Sequence, residues 1–234
     1  MHLLYKRIYN LDLPLDLQLK LFDHTILPIL TYACEVWGFE NLSIVERIHS
    51  NFLRKITKTR KSTPLYILYG ELGRYPIEII IKTRMINFWN KLVTHNGFKI
   101  SHICYKFMQN STYRCKWLAH IKNILNNTGY TDIWINQNNL TSNHVSKLVK
   151  QTLIDQYTQS WHGQLNLSSK GFNYKLFKDS ITFEPYLTLL PKQQYIPILK
   201  FRTANNFFVI ETSRWLNRRI PLENRKCDKC NNMI

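Results

Sequence analysis

Carboxylates are the scarcest chemistry in this chain: 15 Asp and Glu stand against 32 Lys and Arg, a formal net charge of +17. The seven aspartates are Asp12, Asp16, Asp23, Asp132, Asp155, Asp179 and Asp228; none is adjacent to another and none lies in an aromatic-x-Asp-Asp turn. Two-metal phosphoryl transfer needs clustered carboxylates to hold its ions, so nothing here nominates such a centre. A Gly-rich phosphate loop, a Gly-x-Ser-x-Gly elbow and a His-Glu-x-x-His helix are missing too. No apolar run is long enough to span a bilayer, and Met1-His-Leu-Leu-Tyr-Lys lacks the core of a signal peptide. The five cysteines are an odd number without secretory context, which points to a reducing compartment and free thiols. No repeat of solenoid period occurs.

What is present argues for a folded, basic protein. Hydrophobic residues make up 44% and aromatics 13% of 234 residues, too apolar for a disordered basic tail. So lopsided a charge repels itself in the compact state, and a polyanionic partner relieves it. Nucleic acid is the first candidate and an anionic membrane surface the second.

The periodicity is mainly helical. Leu15, Leu17, Leu19 and Leu21 alternate as in a strand, but Phe22, Ile26, Ile29, Leu30 and Ala33 follow at helical spacing. The segment from Pro14 to Trp37 therefore predicts a helix bent near Pro28 and stopped by Gly38. Ser43 to Lys58 carries a capping box, Ser43-x-x-Glu46, and an apolar stripe of Val45, Ile48, Phe52 and Ile56. Arg47, Asn51, Arg54, Lys55 and Lys58 cover much of its remaining surface, and Arg60 to Pro64 continue as a basic connector. Pro76 opens another helix lined by Ile77, Ile81, Met85, Phe88 and Leu92, ended by Gly97. One or two short helices are expected between Phe98 and Asn127, and another from Thr141 to Trp161. The stretch from Gly163 to Pro197, with its Gly, Pro, Ser and Asn, reads as loops and irregular turns. A last helix is expected from Ile198 to Thr212, before a basic tail holding Arg214, Arg218, Arg219, Arg225, Lys226 and Lys229.

Two groups have metal-ligand chemistry. Cys227-x-x-Cys230 has knuckle spacing but is half a tetrahedral site, and the sequence stops four residues later at Ile234. Either ligands come from elsewhere or the chain is a piece of something longer, and we expect the second; two free thiols are the alternative. His102-x-Cys104 with Cys115-x4-His120 has suitable ligand types, but Trp117, Leu118 and Ile121 surround them with an ordinary buried face. The basic helix makes a sharper case. Arg47, Arg54, Lys55 and Lys58, continued by Arg60 and Lys61, match a row of backbone phosphates; a solvated helix face is the alternative. Trp89, Trp117, Trp134, Trp161 and Trp215 have rings suited to base stacking, with core packing as the default.

Several of these motifs belong together. Pro28-x-Leu30-x-Tyr32-x-x-Glu35-x-Trp37-Gly38 resembles the region after the palm in reverse transcriptases of non-LTR, jockey-like retrotransposons. Glu46-Arg47-Ile48 through Phe52-Leu53-Arg54-Lys55-Ile56 is similar to that family's next helix. Glu71-Leu72-Gly73-Arg74-Tyr75-Pro76 resembles its following signature. Phe201-Arg202-Thr203, Ile210-Glu211, Arg214, Pro221, Glu223, Arg225, Cys227 and Cys230 match its C-terminal block, where a His and a third Cys usually follow. The middle, Phe98 to Leu190, agrees only in character.

The resemblance implies the thumb and post-polymerase region of an RNA-directed DNA polymerase. It implies a mainly α fold, with a thumb-like helical region over residues 1–96 and a helical, loop-rich region over 97–213. A basic tail with a truncated zinc knuckle would fill 214–234. It implies no catalysis by this chain, since the palm and its Mg site belong to sequence not present here, and Zn only if the knuckle is completed. The implied partners are a template–primer duplex of RNA and DNA and the remainder of the polymerase, with no membrane. Arg47, Arg54, Lys55, Lys58 and Arg74 would contact its backbone without reading sequence. A stand-alone binding module retained by a host, or an inert remnant of a decayed element, are the competing readings. Nucleus and cytoplasm both fit, and the run from Arg54 to Lys61 doubles as an import signal.

Overall fold

The computed structural model describes residues 12–94, 100–111, 115–137 and 144–206, and these are mainly helical. In chain order the helices are α1 (Leu15–Thr25), α2 (Leu27–Leu30), α3 (Cys34–Trp37), α4 (Leu42–Thr57), α5 (Leu65–Glu71) and α6 (Ile77–Thr94). Then follow α7 (Ile100–Asn110), α8 (Lys116–Asn127), α9 (Thr131–Ile135), α10 (Val145–Leu167), α11 (Ser169–Lys175), α12 (Tyr186–Leu189) and α13 (Lys192–Arg202). Leu72 and Phe183 form an isolated antiparallel bridge. The expected boundary at Asn96 or Gly97, the basic tail, Trp215, Cys227 and Cys230 all lie outside the described residues.

The chain folds as two compact units, each assembled from separated segments. The first takes Leu19–Ser50 and Tyr75–Ser160; the second takes Asp12–Gln18, Asn51–Arg74 and residues 161–206. Helices α1, α4 and α10 contribute to both.

In the first unit α6 is the central element. Ile77, Ile81, Met85, Trp89 and Leu92 are buried along it at i, i+4, i+8, i+12 and i+15. Helix α8 brings Trp117, Leu118, Ile121, Ile124 and Leu125 to the same core. Trp89 stacks on Trp134 with ring centres 5.8 Å apart and donates to the Tyr105 hydroxyl at 3.1 Å. Gly38 is required where α3 meets α6, because a Cβ there would lie 2.4 Å from the Ile81 side chain. Arg84 of α6 reaches Glu35 (2.6 Å) and the Thr31 hydroxyl (3.0 Å), and Trp117 donates to the Glu35 carbonyl at 2.7 Å. Three of the tryptophans with rings suited to base stacking, Trp89, Trp117 and Trp161, are buried.

Three expectations need correction. The segment Pro14–Trp37 is three helices rather than one. Pro28 has no N–H for the His24 carbonyl, so the chain breaks at Ile26 and restarts with Pro28 in the first turn of α2. It breaks again at Ala33, whose φ is +50°. The capping glutamate also has another role: α4 starts at Leu42, so Ser43 is inside the first turn. The Glu46 carboxylate accepts the Ile77 N–H at 2.9 Å, which places a negative charge on the N-terminus of α6.

The third correction concerns Gly163 to Pro197, which is largely helical. Helix α10 runs through Gly163 to Leu167, because burying Trp161 and Leu165 outweighs the roughly 1 kcal/mol a helical glycine costs. The Ser168 hydroxyl caps α11 by accepting the Gly171 N–H at 2.8 Å. Pro185 and Pro191 precede α12 and α13, helix starts rather than loop signals. Helix α13 accordingly begins at Lys192, six residues before the expected Ile198, and carries Pro197 inside it.

Candidate nucleic-acid interface

The basic residues after Ser50 belong to the second unit, and their placement begins with how α4 ends. Lys58 adopts φ +54°. The N–H of Thr59 bonds the Arg54 carbonyl at 3.1 Å and that of Lys58 the Lys55 carbonyl at 3.4 Å. This is the double bond pattern of a Schellman cap, whose left-handed residue is ordinarily glycine. Helix α5 ends the same way with the expected residue: Gly73 has φ +58°, and the Arg74 N–H bonds the Tyr69 carbonyl at 2.8 Å. At α4 a long, exposed lysine occupies that position instead.

The connector after Lys58 is held by its own carbonyls. Arg54, half-buried, donates from Nη1 to the carbonyls of Arg60 at 3.0 Å and Thr63 at 2.6 Å. Burial lowers the Arg54 pKa, but a guanidinium stays charged in proteins. Lys170, at the start of α11, donates to the Ser62 carbonyl at 3.1 Å. Tyr66 and Ser168 share a hydrogen bond through their hydroxyls, and Trp161 donates to the Tyr66 carbonyl at 2.9 Å. Lys55, Lys58 and Lys61 are exposed, while Arg60 and Arg74 are half-buried. Arg47 is exposed on the part of α4 that belongs to the first unit. The second unit thus brings Arg54, Lys58, Arg60 and Lys61 onto one connector, with Arg74 at the end of α5. Sequence reasoning missed Lys170, 108 positions from its partner, for which no local signal exists.

A buried carboxylate organises the rest of this unit. Glu71, fully buried, accepts from the hydroxyls of Tyr174 (2.7 Å) and Tyr186 (2.6 Å) and from Arg202 Nε at 2.6 Å. Arg202 also pairs with Glu184 at 3.2 Å, which in turn pairs with the buried Lys178. The guanidinium lies over the rings of Tyr186 and Phe177, 5.4 and 5.6 Å from their centres. Burial and the Glu71 charge push both phenols far above the ordinary tyrosine range. Both carboxylate oxygens of Glu71 are engaged by these donors, so the arrangement is a structural network. It joins Glu71-Leu72-Gly73 to Phe201-Arg202-Thr203.

The candidate ligands His102, Cys104, Cys115 and His120 do not converge. His102 is bonded to the Leu92 carbonyl at 2.7 Å, Cys115 lies against Met108, and His120 packs against Phe39. Among the described residues no group of three or more His, Cys, Asp or Glu is placed to hold a metal. Among the same residues no helix is long and apolar enough to cross a membrane. No protein-family model matches this chain, and neither does any curated protein or solved structure.

Proposed function

We propose that this chain binds the phosphate backbone of an RNA–DNA template–primer duplex through the end of α4 and the connector behind it. We propose further that it does so as the non-catalytic thumb-type part of a retrotransposon reverse transcriptase. The observation that carries the binding reading is Lys58. A non-glycine residue in the left-handed region costs about 1 kcal/mol, and such strain collects at functional positions. Around it no Asp or Glu interrupts the sequence between Glu46 and Glu71. Like charges so arranged destabilise the free protein, and a polyanion relieves them. The family part rests on the motifs of α2 to α5 and of Phe201-Arg202-Thr203, two of which share the Glu71 network. The buried core of each unit supports a folding module over an inert remnant.

Binding of the purified chain to a labelled RNA–DNA duplex, followed across a salt series, tests this. The expected result is a steep negative slope of log affinity against log salt. The slope should flatten when Lys55, Lys58 and Lys61 are reversed to Glu. No binding at low salt, or an unchanged slope in the variant, reduces the connector to a solvated face. Robust DNA synthesis by the chain alone, given metal and template–primer, would sink the non-catalytic part.

A further inference from the structure

Helix α7 is apolar on the side that faces solvent. Ile100, Ile103 and Phe107 are 79%, 55% and 74% exposed, and Cys104 beside them is exposed as well. At about 100° per residue these positions, i, i+3, i+4 and i+7, fall on one strip of the helix. The opposite side is the one docked on α6. There Tyr105 is fully buried and bonded to Trp89, Gln109 donates to its hydroxyl at 2.8 Å, and His102 bonds the Leu92 carbonyl at 2.7 Å. Single apolar residues on a surface need no explanation, but a continuous seam of them does. Both edges of the seam are basic. Lys106, exposed, lies beside one edge. Met108 lies beside the other, and Cys115 Sγ meets its sulfur at 3.8 Å, which brings the start of α8, with the exposed Lys116, to that side. No Asp or Glu occurs between Glu78 and Asp132, so α7 and α8 carry no carboxylate of their own to offset these lysines.

We propose that the α7 strip is the docking surface for an acidic amphipathic helix of a partner protein. The spacing is that of a coiled-coil seam, with Ile100 and Phe107 at one seam position and Ile103 at the other, and one partner helix covers a strip of this width. Ile100, Ile103 and Phe107 enter its apolar face, while Lys106 and Lys116 meet the carboxylates that flank that face. A second copy is a poorer occupant, because each chain carries +17 and sets lysine edges against lysine edges. A duplex is poorer too, since the strip between the lysines offers phosphates no donor. An anionic bilayer suits the lysines, but three large side chains on a strip one helix wide bury little area in it. All of these residues belong to the first unit, so the inference does not depend on duplex binding by the connector.

The test uses the full chain and a labelled synthetic helix of several heptads, with Leu at the seam positions and Glu on both sides of them. Its own glutamates keep that peptide from pairing with itself. Expected are saturable binding by fluorescence anisotropy and slower alkylation of Cys104, read by mass spectrometry. Phe107→Ser, at an exposed position, should leave the urea unfolding curve unchanged and weaken binding about tenfold. Lys106→Glu should weaken it by about threefold, and more at low salt than at high. A scrambled peptide of the same composition, and one with Lys in place of Glu, should not bind. Equal binding by the scrambled peptide, unchanged affinity in Phe107→Ser, or undiminished Cys104 reactivity overturns the proposal. So does shielding of Cys104 by phosphatidylserine vesicles or by the RNA–DNA duplex where the acidic helix gives none. A dimer of the parent chain in sedimentation that Phe107→Ser dissolves would also overturn it, assigning the strip to a second copy.

Discussion

At the scale of single residues, Lys58 and Glu71 are opposites. Lys58 is exposed and conformationally strained, so its replacement by glycine separates function from stability. Lys58→Gly should leave the fold as stable or raise its unfolding free energy by up to about 1 kcal/mol. In the duplex experiment the same variant should lower the salt slope. Denaturant titration beside the binding curve checks both directions; a destabilised variant with unchanged binding contradicts the role given to this lysine. Glu71 is fully buried, and its removal leaves Arg202 without its closest anion. Glu71→Gln should cost about 3 kcal/mol or more, the range for breaking one side of a buried pair. Urea unfolding measures it, and a loss below about 1 kcal/mol would mean that Glu184 alone satisfies the guanidinium. Burial also separates the tyrosines by acidity. Tyr174 and Tyr186, beside Glu71, and Tyr157, beside Glu46 and Tyr75, have pKa values raised above 10.0. A raised pKa in the folded state adds stability below the unfolded value and loses it above. Each such group should therefore cost about 1.4 kcal/mol per pH unit once pH passes about 10. The phenolate absorbance of the native chain should show a set that titrates only on unfolding.

Among the secondary-structure elements, helix ends decide more than helix middles. Several helices close with a left-handed residue: Lys58 after α4, Gly73 after α5, Gly129 after α8 and Ala204 after α13. Gly73 has a second constraint, because a Cβ there would stand 2.4 Å from the Phe183 nitrogen at the bridge to Leu72. Gly73→Ala should therefore destabilise by more than the roughly 1 kcal/mol of backbone strain alone, read as a lower urea midpoint. Gly129, with open space around it, should show only the strain. The connector behaves as one element because Arg54 holds two of its carbonyls. Arg54→Met should loosen it, lowering duplex affinity as well as stability, whereas a direct phosphate contact predicts weaker binding at unchanged stability.

On the scale of the molecule, charge is the property that couples stability to binding. A chain of +17 repels itself. Any polyanion that binds the native state should raise its apparent stability, by about 2.7 kcal/mol at a ligand concentration about one hundred times Kd. Thermal unfolding with and without duplex, at two salt concentrations, checks this. The gain should shrink as salt rises, since released counterions drive the association.

How much of this is legible in the sequence depends on the range of the interactions. The stripes of α4 and α6, the basic connector and the helix around Val145 follow from side-chain spacing, because a helix face repeats locally. Pro28 marks a disturbance in the sequence and in the fold alike, though the fold breaks there where a bend is expected. The stretch from Gly163 to Pro197 misleads, because its glycines and prolines read as breakers where burial of Trp161, Leu165, Tyr195 and Leu199 outweighs propensity. Glu46 fits a local capping box in the sequence but serves α6, thirty-one residues away.

The helical class, the excess positive charge and the cations of α4 and its connector follow from composition and short-range periodicity alone. Three arrangements come from packing instead: Arg54 braces the connector, Lys170 stands beside it, and Glu71 joins Tyr174, Tyr186 and Arg202. The last two bring together groups distant in the chain, the first depends on how the connector turns back on α4, and burial, not spacing, selects such arrangements.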